Sequence, residues 1–172
     1  MKSINELAGK YKGERLTVIG RGKSLSLLCK QHIPAGPVIA INQAILAVDK
    51  LDMPNDVYSM QKDKLFTLST DAPLLVHTPE SAKGLDIPAA YEWRNTDYKL
   101  EVKAPSVASC VAIAKLWGCK EVLFLCCDAA VNGSIEAHGD PATKPEDYLM
   151  HRAIVENVAK RKKIKVTWKI PE

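Results

Sequence analysis

The sequence predicts an α/β fold: one Rossmann-like, three-layer domain with a mostly parallel sheet of about six strands. Three observations carry this. Short apolar runs alternate with helical stretches along the chain, the pattern of strands joined by crossover helices. The run EVLFLCCD (121–128) is almost wholly apolar, as a central strand covered on both faces must be. The first run ends in two glycines one residue apart, RLTVIGRGKS (15–24), where a tight strand-to-helix turn belongs.

Taken in order, LTVIG (16–20) is the first strand and residues 24–30 a short helix. PVIAIN (37–42) is the second strand, followed by the helical QAILAVDK. DVYSMQ (56–61) and APLLVH (72–77) are the third and fourth. Residues 78–102 combine breakers with three aromatics and read as an irregular insertion with short edge strands. SVASCVAIAKLWG (106–118) is the clearest helix, rich in small residues. EVLFLCCD follows as the central strand, then a long polar loop. YLMHRAIVENVAKRKK (148–163) is an amphipathic helix whose basic end suits the helix dipole, and IKVTWKI (164–170) is the last strand. The 172 residues fit one compact domain spanning 1–172.

Hydrophobic residues make up 47% and charged residues 26% of the chain, with a formal net charge of +4, too small for a dedicated nucleic-acid binder. The basic run AKRKKIKV (159–166) reads as a solvated helix end, with contact to acidic partners or a membrane surface as the alternative. The first fifteen residues lack the apolar core of a signal peptide, and no run approaches the roughly 18 apolar residues of a membrane span. A cytoplasmic protein without integral membrane contact is expected. The five cysteines include the adjacent Cys126 and Cys127 and form no CxxC pair, so buried reduced thiols are expected rather than disulfides or structural zinc. A symmetric homodimer is the commonest assembly for such a domain.

The glycine pair fits neither standard phosphate motif. A P-loop places a glycine five positions before its Gly-Lys pair; that position is Thr17, inside the strand. The GxGxxG fingerprint would need its third glycine at Leu25, and the second strand ends in Asn42-Gln43 rather than in the acid that holds a ribose diol. Two simpler readings remain: a phosphate-holding turn in which Gly20 and Gly22 bring backbone amides to a ligand and Ser24 caps the next helix, or a purely structural turn.

The other strand ends add polar groups at the same sheet edge: Asn42 and Gln43, Gln61, His77, and Cys127-Asp128. Ser106 and Ser109 open the long helix. Amides read base edges, while hydroxyls and helix amides hold phosphate. Gly20, Gly22, Lys23, Ser24, Asn42, Gln43, Gln61, Ser106 and Ser109 are therefore the candidate nucleotide-binding residues, and a nucleotide or nucleotide-sugar is the expected ligand.

The blocks VIGRGKSL, AINQAI and SVASCVAIAKLWGCKEVLFLCCDA resemble those of a superfamily that includes bacterial sialyltransferases, which decorate lipooligosaccharide from CMP-sialic acid, and a pterin pyrophosphokinase-like branch. The matching positions are Gly20, Gly22 and Ser24, Asn42, Ser106 or Ser109 before Gly118, and Asp128, within discontinuous blocks over residues 15–130. The resemblance implies a small glycosyltransferase-like enzyme using a nucleotide-activated sugar of CMP type, a glycan acceptor and no metal or other cofactor. The chain departs from that pattern in its length, since only 78–102 could cover a donor, and in its histidines, which do not match the spacing of the family's late base.

Glycosyl transfer needs a base to take the acceptor's proton and donors to meet the growing phosphate charge. His138, in the polar loop, is the candidate base; Asp128 is the second candidate catalytic residue, placed to contact ribose or order the Ser106 helix. Cys127 is the only one of the adjacent thiols placed to reach a cleft. Two other outcomes follow from the same residues: a binding or interaction module without chemistry, and a Mg²⁺-dependent pyrophosphoryl transferase as in the pterin branch.

Overall fold

A computed structural model describes residues 2–61, 70–76, 90–101, 103–133 and 145–172. Eight strands form one sheet: β1 (Lys2–Ser3), β2 (Arg15–Ile19), β3 (Val38–Ile41), β4 (Val57–Gln61), β5 (Leu74–Val76), β6 (Tyr91–Glu92), β7 (Glu121–Leu125) and β8 (Lys165–Lys169). Their spatial order is β1-β6-β5-β4-β3-β2-β7-β8, and every pairing is parallel. The helices are α1 (Ala44–Val48), α2 (Ser106–Trp117), α3 (Asp128–Asn132) and α4 (Pro145–Lys162). This is an open, Rossmann-like α/β sheet.

The six strands read from apolar runs are all present, and the expected count is corrected to eight by β1 and β6. Each of these is two residues long, too short to show a period. They add to the sheet edge beyond β5, with Lys2 paired to Tyr91 and Ser3 to Glu92. The sheet is wholly rather than mostly parallel. The segment expected to be helical at 24–30 is instead a 3₁₀ turn over Lys23–Leu27, the form short helical pieces take. The central strand stops at Leu125, three residues early, because Cys126 adopts a left-handed backbone, φ 54°, and turns the chain into α3. Helix α4 starts earlier than expected, at Pro145; proline suits a first helical position because it lacks only an N–H that has no partner there.

Alternation along the strands sorts the core onto two faces. Leu16, Val18, Ile39, Ile41, Tyr58, Met60 and Phe124 pack with α2 and α4. Ile19, Val38, Ala40, Leu123 and Leu125 pack with α1 and with Leu28 and Ile33. Both faces of the central strands are apolar because both are covered. Helix α2 buries Ala108, Ala112 and Ala114 and ends at Gly118, whose φ of 80° is the left-handed C-terminal conformation glycine adopts without strain. Within the expected 78–102 insertion, residues 78–89 lie outside the described part. The remainder holds β6, a 3₁₀ turn over Asn95–Tyr98 and the fully buried Trp93, stacked on Tyr98 at 5.7 Å between centroids.

Strand β2 is the pivot. The chain moves outward from it through β3, β4, β5 and β6, then returns through α2 to β7 on its other side. The amino ends of β2 and β7 are tied by Arg15 and Glu121, 2.7 Å apart. Ligands of open parallel sheets sit at the carboxyl ends of strands that flank such a reversal, which here means Ile19 and Leu125, directly paired in register.

Candidate functional site

The reversal point is filled by the protein itself. The Gly20 amide donates to Leu125 O at 2.9 Å, and the Gly22 amide to Cys126 O at 2.7 Å. A Cβ on Gly20 would stand 2.7 Å from both Cys126 O and Cys127 Sγ; one on Gly22 would collide with the Asp128 carboxylate and lie 2.7 Å from Cys126 O. The glycines do permit a close backbone approach, and what approaches is the β7–α3 turn. Next in the chain, the Ser24 amide donates to Asp128 Oδ1 at 3.1 Å and its hydroxyl to Asp128 Oδ2 at 2.7 Å. Both residues are buried, each 5% exposed. Asp128 thus binds an amide of the Lys23–Leu27 turn from within the protein, where the motif invited an external anion.

This geometry corrects three sequence expectations. The two glycine amides are engaged with backbone carbonyls. Ser24 is not a cap, since Gly22 holds that position without a side-chain bond; its hydroxyl and amide both serve Asp128. Ser109 is fully buried and donates to Asn95 Oδ1 at 2.9 Å, anchoring the segment before α2 instead of facing an anion. Ser106 opens α2, but Pro105 is its N-cap residue and makes no side-chain bond to it. Lys23 is exposed.

The residues at the ends of β3 and β4 are tied mainly through backbone groups. Asn42, directly after β3, takes a left-handed backbone, φ 51°, which asparagine tolerates better than most side chains. Its amide donates to Met60 O at 2.9 Å, fastening the end of β3 to the end of β4. The neighbouring Gln43 accepts from Arg21 Nη1 at 2.9 Å, so a guanidinium from the glycine turn reaches across to the third strand's end. Gln61, last in β4 and 1% exposed, donates through Nε2 to Ser59 Oγ at 2.6 Å and to Asn42 O at 3.5 Å. Among the described residues its Oε1 is buried without a hydrogen-bond partner. An unpaired buried acceptor costs about 1–3 kcal/mol, so the bonding of Gln61 is incomplete among them.

His138 and His77 lie outside the described residues. His151 sits in α4 against Tyr148, edge to face at 5.6 Å. Burial, with the neighbouring Asp128 charge adding to it, pushes the Cys126 thiol up to about 12, so no thiolate nucleophile forms there near neutral pH. Cys127 is buried too, with Sγ 3.5 Å from Leu125 O. No group of three or more histidine, cysteine or acidic side chains is placed to hold a metal among the described residues.

A second polar cluster, at the opposite edge of the sheet, has no signature in the sequence. Tyr11 Oη lies 2.6 Å from Tyr58 Oη and donates to Asp56 Oδ2 at 2.8 Å; Lys10 Nζ donates to both Asp56 and Tyr58 at 3.1 Å. Trp117 packs on both tyrosine rings, at 5.1 and 4.8 Å between centroids. Burial and then hydrogen bonding to Tyr58 and Asp56 raise the Tyr11 phenol far above its ordinary value. The bonds from Tyr11 and Lys10 lower the Asp56 carboxyl.

No protein-family model, no curated protein and no solved structure matches this chain.

Proposed function

We propose that the protein binds a nucleotide at the carboxyl edge of β2, β3 and β4 and acts as a small transferase on a nucleotide-activated sugar, with a CMP-type donor favoured. The observation that carries this reading is the buried, unpartnered Gln61 Oε1, one strand from Asn42 and Gln43. A base amino group is the donor such an acceptor would take. Its place at the carboxyl ends of parallel strands supports it, and so does Arg21, whose guanidinium matches phosphate geometry. In this reading Arg21 takes the phosphate role first assigned to the glycine amides, and Asp128 holds the glycine turn in place. The resemblance to sialyltransferase blocks supplies the choice of cytidine and of a glycan acceptor. A binding module without turnover is the second reading, favoured by the engagement of Asp128 with Ser24.

The test is a thermal-shift panel of cytidine, uridine, guanosine and adenosine mono- and diphosphates and pterins, with and without Mg²⁺. A ligand at 100 times its dissociation constant stabilises by about 2.7 kcal/mol. Selective, metal-independent stabilisation by a cytidine nucleotide that Gln61→Leu abolishes is the expected result. Slow release of CMP from CMP-sugar would then separate enzyme from binding module, and a strict Mg²⁺ requirement would point to pyrophosphoryl transfer. No shift with any nucleotide would overturn the proposal.

A further inference from the structure

The basic end of α4 faces a groove that the carboxyl-edge site does not use. Its floor is Leu100, Ala104, Ile154 and Val158, and its rim holds Lys103, Lys160 and Arg161; the open groove has a volume of about 500 Å³. That is the size of a small-molecule pocket. The rim cations come from two segments far apart in sequence, so the charge is not simply the end of one helix. Among the described residues, none of the three makes an ion pair. Glu101 and Asn157 complete the rim. Just beyond it, Lys162 donates to Tyr98 O at 3.0 Å. Burial, then the nearby charges of Arg161, Lys99 and Lys115, lower its ammonium. Positive charge is concentrated here beyond what local acids neutralise.

We propose that this groove binds an organic phosphate: a phosphomonoester or diphosphate carried on a small apolar body. The apolar floor takes the body. A planar guanidinium and two flexible ammoniums around one opening suit a dianion better than a single carboxylate, and a phosphomonoester carries close to two charges at neutral pH. The groove lies on the α2–α4 face, whereas Gln61 follows Ser59 on the α1 face, so this proposal does not rest on the nucleotide reading.

Isothermal titration of the full chain with hexyl phosphate tests it, with inorganic phosphate and hexanol as comparators. Hexyl phosphate is expected to bind more tightly than either comparator, and less tightly as salt is raised. Lys103→Glu and Arg161→Glu should each weaken binding about tenfold, as loss of a charge-assisted hydrogen bond does. Both side chains are exposed, so the melting temperature should stay close to that of the unmodified protein. The distant Lys50→Glu and the carboxyl-edge Gln61→Leu should leave the affinity unchanged. Sedimentation with vesicles of phosphatidic acid in phosphatidylcholine identifies the source: capture that Arg161→Glu abolishes assigns the phosphate to a lipid headgroup, and hexyl phosphate binding without capture assigns it to a soluble compound. Either result supports the proposal. It is overturned if neither probe binds, if the charge reversals leave binding unchanged, or if phosphate or hexanol alone binds as well as hexyl phosphate.

Discussion

At the amino edge of the sheet, Tyr11, Tyr58, Asp56 and Lys10 bond one another beside an open hollow of about 440 Å³. At the carboxyl edge, Gly20, Gly22, Ser24 and Asp128 also bond inward, and they fill the space where a crevice would be. The amino-edge cluster is bonded within itself, although a hollow adjoins it. The carboxyl edge pairs a closed half, around the glycines, with an incompletely bonded half, at Gln61. Space alone does not mark a site, and a glycine-rich turn alone does not mark a phosphate; unmet hydrogen-bonding capacity is the better guide.

The comparison breaks first at Gly22. A methyl group there meets the Asp128 carboxylate and a backbone carbonyl, and neither is the far end of a flexible chain. Gly22→Ala should cost about 3 kcal/mol in urea unfolding. A loss below about 0.5 kcal/mol, the range of ordinary surface substitutions, would mean the turn stands open. Next comes Asp128→Ala, which removes both acceptors that Ser24 donates to and should cost about 2 kcal/mol; Asp128→Asn should cost less, because one acceptor oxygen remains.

A smaller effect sharpens the account of the amino edge. Tyr11→Phe should cost about 1 kcal/mol at neutral pH, and its signature lies in the pH profile. The Tyr11 phenol is raised from an ordinary 10.0, so the folded state holds this proton more tightly than the unfolded chain. Its contribution is complete below pH 10.0 and is lost as pH rises further. The Asp56 carboxyl is lowered from 3.8, so its contribution is present above that value and lost as pH falls below it. Tyr11→Phe should reduce the alkaline loss, which Lys10 and Tyr98 share, and Asp56→Asn the acid one, which Glu121 shares, in melts across the two ranges. An unchanged alkaline limb in Tyr11→Phe would exclude the phenol as its source.

The smallest effect has the opposite sign. The Thr17 hydroxyl is buried in β2 without a partner among the described residues, and valine has the same shape without the polar atom. Thr17→Val should stabilise by about 1 kcal/mol. Destabilisation would show that the hydroxyl is satisfied in solution.

The six longer strands, the α2 helix and its end at Gly118 were legible because apolar runs, helical periodicity and a C-terminal glycine are local signals. Two-residue strands carry no such signal, so β1 has no counterpart among the expected strands, and β6 answers only to the short edge strands expected within 78–102, lying between β5 and β1 rather than at the edge. The candidate site divides in the same way. That Gly20 and Gly22 admit something close was visible; that it is Asp128, more than a hundred residues later, was not, because a pairing between distant segments leaves no trace in either one. Ser109 misled for the same reason, since its partner Asn95 lies before the helix. The position of Asn42, Gln43 and Gln61 at the ends of β3 and β4 was legible because strand ends are predictable and the ends of a parallel sheet share an edge. Arg21 and the tyrosine pair were missed: one sits inside a motif read for its glycines, and the other joins residues 47 apart.

The union of the glycine turn with Asp128 also sets an order of events during synthesis. When Gly22 leaves the ribosome, the carbonyls and the carboxylate that will hold it do not yet exist. At cellular elongation rates they follow roughly 5 to 20 s later. Over that interval β2 has only β3 to pair with, and the Ser24 amide and hydroxyl are without Asp128. The last act at this edge is the arrival of β7 beside β2, and it closes the turn behind it.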